Sequence, residues 1–246
     1  MVEGRGTGDK RFHVSLLARQ ERAALDWLAP RLPAFVTPDM LTAFGLFGAL
    51  VTFAGYALCA LSPQFLWLAS AGLVMNWFGD SLDGGLARYR GIERPRYGFF
   101  LDQNIDVIAN LLIASGFVAS PVIRLEPAAL ALFGYQALTI HVLVRSNIDG
   151  VFQVSVLNSG PTEMRLLIIL MNMLILIFGA PVWTLFGFSF AWCDITVGLF
   201  GLGMSCAFVC LLWRDARVLR REDHQARSHH NEVADARDSR DDAEAA

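Results

Sequence analysis

Four aspartates stand where an apolar stretch makes a charge expensive: Asp80, Asp83, Asp102 and Asp106. An ionised carboxylate inside or at the edge of a membrane span is costly, so each one needs a partner or a purpose. Asp80 and Asp83 are three residues apart, and Asp102 and Asp106 are four apart. On helices both spacings place the pair on one face. Four carboxylates brought together repel unless cations lie among them. Hard divalent ions with oxygen ligands, Mg²⁺ or Mn²⁺, suit that donor set. Gly84, Gly85 and Ala87 follow Asp83, and such small residues let another backbone or a ligand approach closely. Arg88 adds a permanently charged guanidinium suited to phosphate. Metal-holding acids, a bare helix surface and an arginine together describe a diphosphate site. Ion pairing of the aspartates with Arg88 or Arg90 in a plain helix interface is the alternative, but four acids exceed what those bases neutralise.

The elements that must position these residues are transmembrane helices. The 246-residue chain is 54% hydrophobic, with a mean hydropathy of +0.45, and its charges are gathered into blocks between long apolar runs. Six spans are expected, covering roughly 41–61, 65–89, 98–122, 127–147, 165–187 and 193–213. Each is near the ~20 residues that cross a bilayer core. The fold class is therefore an all-α integral membrane protein. Its catalytic domain spans 38–213, preceded by a segment 1–37 and followed by a charged tail 214–246. Residues 10–34 interleave Phe12, Leu16, Leu17, Leu25 and Leu28 with Arg19, Glu21, Arg22 and Asp26, the pattern of an amphipathic helix lying along the interface. The tail from about residue 222 lacks apolar periodicity and reads as disordered. Basic residues crowd the segment before the first span, the second and fourth connections and the stretch after the last span. The opposite side has only Arg124. The positive-inside rule puts both termini, and with them the aspartates, in the cytoplasm. No feature points to nucleic acid.

With these residues in place, Asp80-x-x-Asp83-Gly84-x-x-Ala87-Arg88, followed by Gly98-x-x-x-Asp102-x-x-x-Asp106, resembles the defining motif of the CDP-alcohol phosphotransferases. Thr37-Pro38-Asp39-x-x-Thr42 is similar to that family's first-helix segment, although by itself it reads as a helix start. The resemblance implies transfer of a substituted phosphate from a CDP-linked donor, CDP-diacylglycerol being favoured, to an alcohol acceptor with release of CMP. It also implies a homodimer in the lipid bilayer. Asp80, Asp83 and Asp102 would hold the metal. Asp106 would act as general base and could touch the metal as well. Asp39, Thr42, Gly84 and Arg88 would seat the CDP moiety. The place where some members carry Ser or Thr reads Arg94-Pro95-Arg96, and Gln103 follows the third aspartate where members using diacylglycerol as acceptor can carry His. His141, Arg145 and Arg165 are candidates for the acceptor pocket, with positive-inside flanking as the alternative role.

Two other classes use similar residues. An intramembrane prenyltransferase also binds diphosphate through Asp-rich motifs, but such enzymes usually carry two separate motifs. A cation-coupled transporter tends to place its acids near the midplane and often shows inverted repeats, and none is visible here.

Overall fold

The structure, a computed structural model, describes residues 18–149, 161–185 and 188–244. Among them are seven α-helices: α1 (Ala18–Leu28), α2 (Pro38–Leu58), α3 (Leu66–Arg90), α4 (Pro95–Ala119), α5 (Leu125–Asp149), α6 (Pro161–Phe178) and α7 (Trp192–Glu244). A short hairpin, β1 (Val182–Leu185) and β2 (Phe188–Ala191), lies between α6 and α7. The chain divides into two compact units, Met1–Ser205 and Cys206–Ala246.

Helices α2, α5, α6 and the Trp192–Gln225 part of α7 are long and apolar enough to cross a membrane. Helices α3 and α4 match the remaining two expected spans in position, and they carry the four aspartates. Each helix has a local cause for its boundaries. Thr37 caps α2, its hydroxyl accepting from the Met40 N–H at 3.2 Å, with Pro38 opening the first turn. Helix α3 stops at Gly91, whose φ of +65° is open to glycine at little steric cost. Pro95 then opens α4.

The α2–α3 pair is the most closely packed helix pair of the first unit. A stripe of small residues on α2 (Gly45, Gly48, Thr52, Gly55) faces one on α3 (Gly79, Asn76, Gly72, Ala69), running antiparallel. The backbones approach so closely that a Cβ built on Gly48 would stand 2.4 Å from the Asn76 nitrogen. Without water to drive association, close van der Waals contact between small residues holds such helices together. Asn76 crosses the seam, donating from Nδ2 to the Gly45 carbonyl at 3.0 Å. This contact fixes the register that brings Thr42 opposite Asp83.

A second, polar lock ties α6 to this pair. The Tyr56 hydroxyl donates to Asn172 Oδ1 at 2.8 Å, and Asn172 Nδ2 donates to Ser70 Oγ at 3.1 Å. All three side chains are buried. The Tyr56 ring packs edge-on against Phe117 of α4, with centroids 4.8 Å apart. Asn172→Leu strands the Tyr56 and Ser70 hydroxyls in an apolar core. It is expected to lower stability by about 1–2 kcal/mol, read as a lower thermal midpoint in detergent. An unchanged midpoint would show the triad to be dispensable.

Two expectations change. The fifth span was expected to continue to 187, but α6 ends at Phe178. Gly179 has a φ of +72°, and its N–H bonds back to the Ile175 carbonyl at 2.8 Å. Pro181 follows, and the apolar residues beyond form the hairpin instead of a further helical turn. The tail expected to be disordered from about 222 is helical as far as Glu244. Its Ala, Arg and Glu residues are good helix formers, and a segment need not be apolar to extend a helix already begun. Within the second unit, Arg214 pairs with Asp215 at 2.8 Å and Arg217 lies 3.4 Å from the centroid of the Trp213 ring. The first part of the expected N-terminal amphipathic helix, residues 10–17, and most of the polar loop 148–164 lie outside the described residues.

Candidate active site

The acids come from two helices joined by a short turn. Antiparallel packing sets Asp80 and Asp83 of α3 near Asp102 and Asp106 of α4. One carboxylate oxygen from each of Asp80, Asp102 and Asp106 lies within 4.8 Å of the others. At an effective dielectric of about 20, unit charges at that separation repel by roughly 3–4 kcal/mol per pair. The cluster therefore attracts cations strongly. Asp83 stands outside this trio. It accepts a 2.6 Å hydrogen bond from Thr42 Oγ1, while remaining within electrostatic reach of Asp80 and Asp102. Thr42 thus contributes by orienting an acid from across the α2–α3 seam. Oxygen-only donors, several of them anionic and partly exposed, fit a hard divalent cation.

Among the described residues, Arg165 makes close ion pairs with the cluster. Arg165, from the first turns of α6, is only 8% exposed. Its Nη1 donates to Asp80 Oδ2 at 2.8 Å, and its Nη2 stands 3.9 Å from Asp106 Oδ1. The sequence groups Arg165 with His141 and Arg145 as an acceptor-side residue. The structure sets it directly on the acids, whereas His141 and Arg145 are half-buried on α5 and do not line the cavity described next. With Arg88 also within electrostatic reach of Asp83, two guanidinium groups still do not balance four carboxylates.

At the rim, Asp39 pairs with Arg94 at 2.5 Å, and Arg94 also lies 4.5 Å from the Tyr97 ring centroid. The hydrogen bond to Asp39 raises the Arg94 pKa above its ordinary value. The Arg88 guanidinium lies over Gly84, where an added Cβ would meet its Nη1 at 3.3 Å, while Gly85 faces open space. Arg90 plays a structural part. It donates to the carbonyls of Leu32, Pro33, Ala34 and Val36 and so pins the segment entering α2.

A cavity of about 290 Å³ opens beside Asp106 and Arg165. It runs between α4, α5, α6 and the start of α7, from Asn110 and Tyr135 near the acids to Phe117, Trp192 and Phe200 at the far end. Its walls are mostly apolar. Hydropathy and spacing did not reveal this feature. Asn110, one helical turn beyond Asp106, was the available signal.

The sequence model of the CDP-alcohol phosphatidyltransferase family matches residues 35–200, which contain the acids, Arg165 and the cavity. The chain belongs to the CDP-alcohol phosphatidyltransferase family. It is 35% identical over 85 residues to a phosphatidylinositol phosphate synthase of Cutibacterium acnes, covering 35% of this chain and 39% of that protein. It is also 35% identical over 107 residues to a CDP-diacylglycerol–serine O-phosphatidyltransferase of Encephalitozoon cuniculi, covering 39% of this chain and 28% of that protein. The matched stretches thus span well under half of either relative. Family membership supports an integral membrane protein, in agreement with the apolar helices.

Proposed function

We propose that the chain is a metal-dependent enzyme that transfers a phosphatidyl group from a CDP-linked donor to an alcohol, releasing CMP, in phospholipid biosynthesis. The observation that carries this reading is the acid trio with Arg165 at the head of an apolar cavity, within the stretch matched by the family. A bare diphosphate needs no apolar cavity beside its metal ligands. A lipid-borne one does, so CDP-diacylglycerol is favoured over a CDP-linked small head group.

Asp80 and Asp83 of α3 and Asp102 of α4 would hold the cation, Mg²⁺ or Mn²⁺, and Asp106, on α4 with Asp102, would also touch it. When bound, the cation neutralises the diphosphate and the leaving CMP. Thr42 keeps the Asp83 carboxylate aimed at the site. Asp39, Thr42, Gly84 and Arg88 seat the CDP moiety, with Asp39 already paired to Arg94 at the rim. Asp106 takes the proton from the acceptor hydroxyl as it attacks the phosphorus on the lipid side of the pyrophosphate bond. Arg165 faces the acceptor, its charge shared with Asp80, and His141 and Arg145 on α5 are further acceptor-side candidates. The basic residues flanking the spans support a cytoplasmic site and cytoplasmic termini, which six spans would keep on one side, and the proposed assembly is a homodimer. The relatives' names include both serine and phosphatidylinositol phosphate. The acceptor here is therefore sought among serine, inositol, inositol phosphate and glycerol phosphate.

The test uses purified protein with CDP-diacylglycerol or, separately, CDP-choline, against that acceptor panel, measuring CMP and identifying the lipid product by mass spectrometry. CMP release is expected with CDP-diacylglycerol, falling to background in excess EDTA and returning with Mg²⁺ or Mn²⁺. Full activity in EDTA would remove the metal from the mechanism. Pyrophosphate in place of CMP would move the protein to the prenyltransferase class.

A further inference from the structure

Helix α1 reaches the site through one side chain. Glu21 Oε1 accepts hydrogen bonds from Trp77 Nε1 at 2.9 Å and Ser81 Oγ at 3.0 Å, both on α3, and from Thr162 Oγ1 at 2.8 Å, on the first turn of α6. Ser81 is the immediate neighbour of Asp80, and Thr162 lies one turn before Arg165. The start of α6 and the aspartate-bearing part of α3 are therefore joined twice. One link is direct, Arg165 to Asp80 at 2.8 Å. The other passes through Glu21, a residue of a different helix. A carboxylate is suited to this place on two grounds. It accepts several donors at once in charge-assisted bonds, and it stands near the positive end of the α6 dipole.

We propose that Glu21 is a positioning residue. By holding the first turn of α6 against α3, it fixes where the Arg165 guanidinium stands relative to Asp80 and Asp106. Helix α1 is then part of the acceptor side of the site as well as an interfacial element. The kinetic part of this proposal rests on the reading above, in which Arg165 faces the acceptor. The structural part, the tie between Glu21 and α6, does not.

The experiment compares purified wild type, Glu21→Gln, Glu21→Ala, Thr162→Ala, the Glu21→Ala/Thr162→Ala double variant and Arg165→Lys. CMP release is measured with each substrate varied in turn, and amide hydrogen exchange is followed through α6. Glu21→Ala is expected to raise the acceptor KM about tenfold, the worth of one charge-assisted hydrogen bond, with the donor KM unchanged. Glu21→Gln keeps an acceptor oxygen and is expected to recover part of that loss. The double variant is expected to match Glu21→Ala, since both substitutions cut the same link. Exchange in the first turn of α6 is expected to rise in Glu21→Ala. Unchanged exchange there, or an additive double variant, overturns the proposal. A rise in exchange with an acceptor KM at the wild-type value in Arg165→Lys leaves the Glu21 tie standing and removes Arg165 from acceptor recognition.

Discussion

Asp106→Asn is expected to cut CMP release by about 10²–10⁴-fold, the usual contribution of a positioned general base. The substitution keeps the side chain's size and one acceptor oxygen. Arg165 retains its 2.8 Å bond to Asp80, and its contact with Asp106 is the longer one at 3.9 Å. The helix pair is therefore expected to assemble normally, with a thermal midpoint close to wild type. A purely metal-holding role and a proton-accepting role make different predictions. If Asp106 served only as a ligand, saturating Mn²⁺ would recover much of the rate. If it takes the acceptor's proton, the loss persists at every metal concentration. CMP release near wild type in Asp106→Asn would exclude it as the base.

The other large effect is expected far from any reacting atom. A Cβ on Gly79 would stand 2.4 Å from both the Gly45 nitrogen and the Leu41 carbonyl oxygen, and 2.6 Å from the Gly45 Cα. These are backbone atoms, and no rotamer change moves them. Gly79→Val must separate α2 from α3 by about 1 Å near this point, and overpacking of this kind costs about 1–3 kcal/mol or more. The next turn holds the 2.6 Å bond between Thr42 and Asp83, which such a separation breaks. We expect a clearly lowered thermal midpoint together with loss of most CMP release. Gly203→Ala is the control: nothing lies within 4 Å of its Cβ position, and its midpoint should match wild type. A Gly79→Val protein that melts with wild type would show the seam to be looser than its distances imply.

The acid site was legible because charge in an apolar run is costly and therefore conspicuous, and because helical spacing converts position into facing. Asp80, Asp102 and Asp106 come together, each offering one carboxylate oxygen to the cluster. Asp83 turns instead to Thr42, a residue noted in the sequence but without this pairing. Arg165 was visible as a cation near the end of a span, but its partner lies in a helix remote in sequence, and no local period encodes that contact. Glu21 looked like any charge on the polar face of an amphipathic helix, and three hydrogen bonds distinguish it only once α3 and α6 are packed. The hairpin was hidden for a different reason. Hydropathy cannot tell an apolar strand such as Val182–Leu185 from one more turn of helix, and Gly179, Pro181 and Gly187 were the punctuation on offer.

The ties made by α6 also bear on the order in which the protein is built. A ribosome completes α1 to α4, with all four aspartates, before it begins α6. Until then Asp80 lacks Arg165, Glu21 lacks Thr162, and the Tyr56 and Ser70 hydroxyls lack Asn172. The nascent chain thus passes through a stage in which its acids are made and the guanidinium paired to Asp80 is not. A chain arrested before Pro161 carries the whole aspartate motif yet has none of these three clasps. Such truncated products present polar groups within their helices that only α6 satisfies.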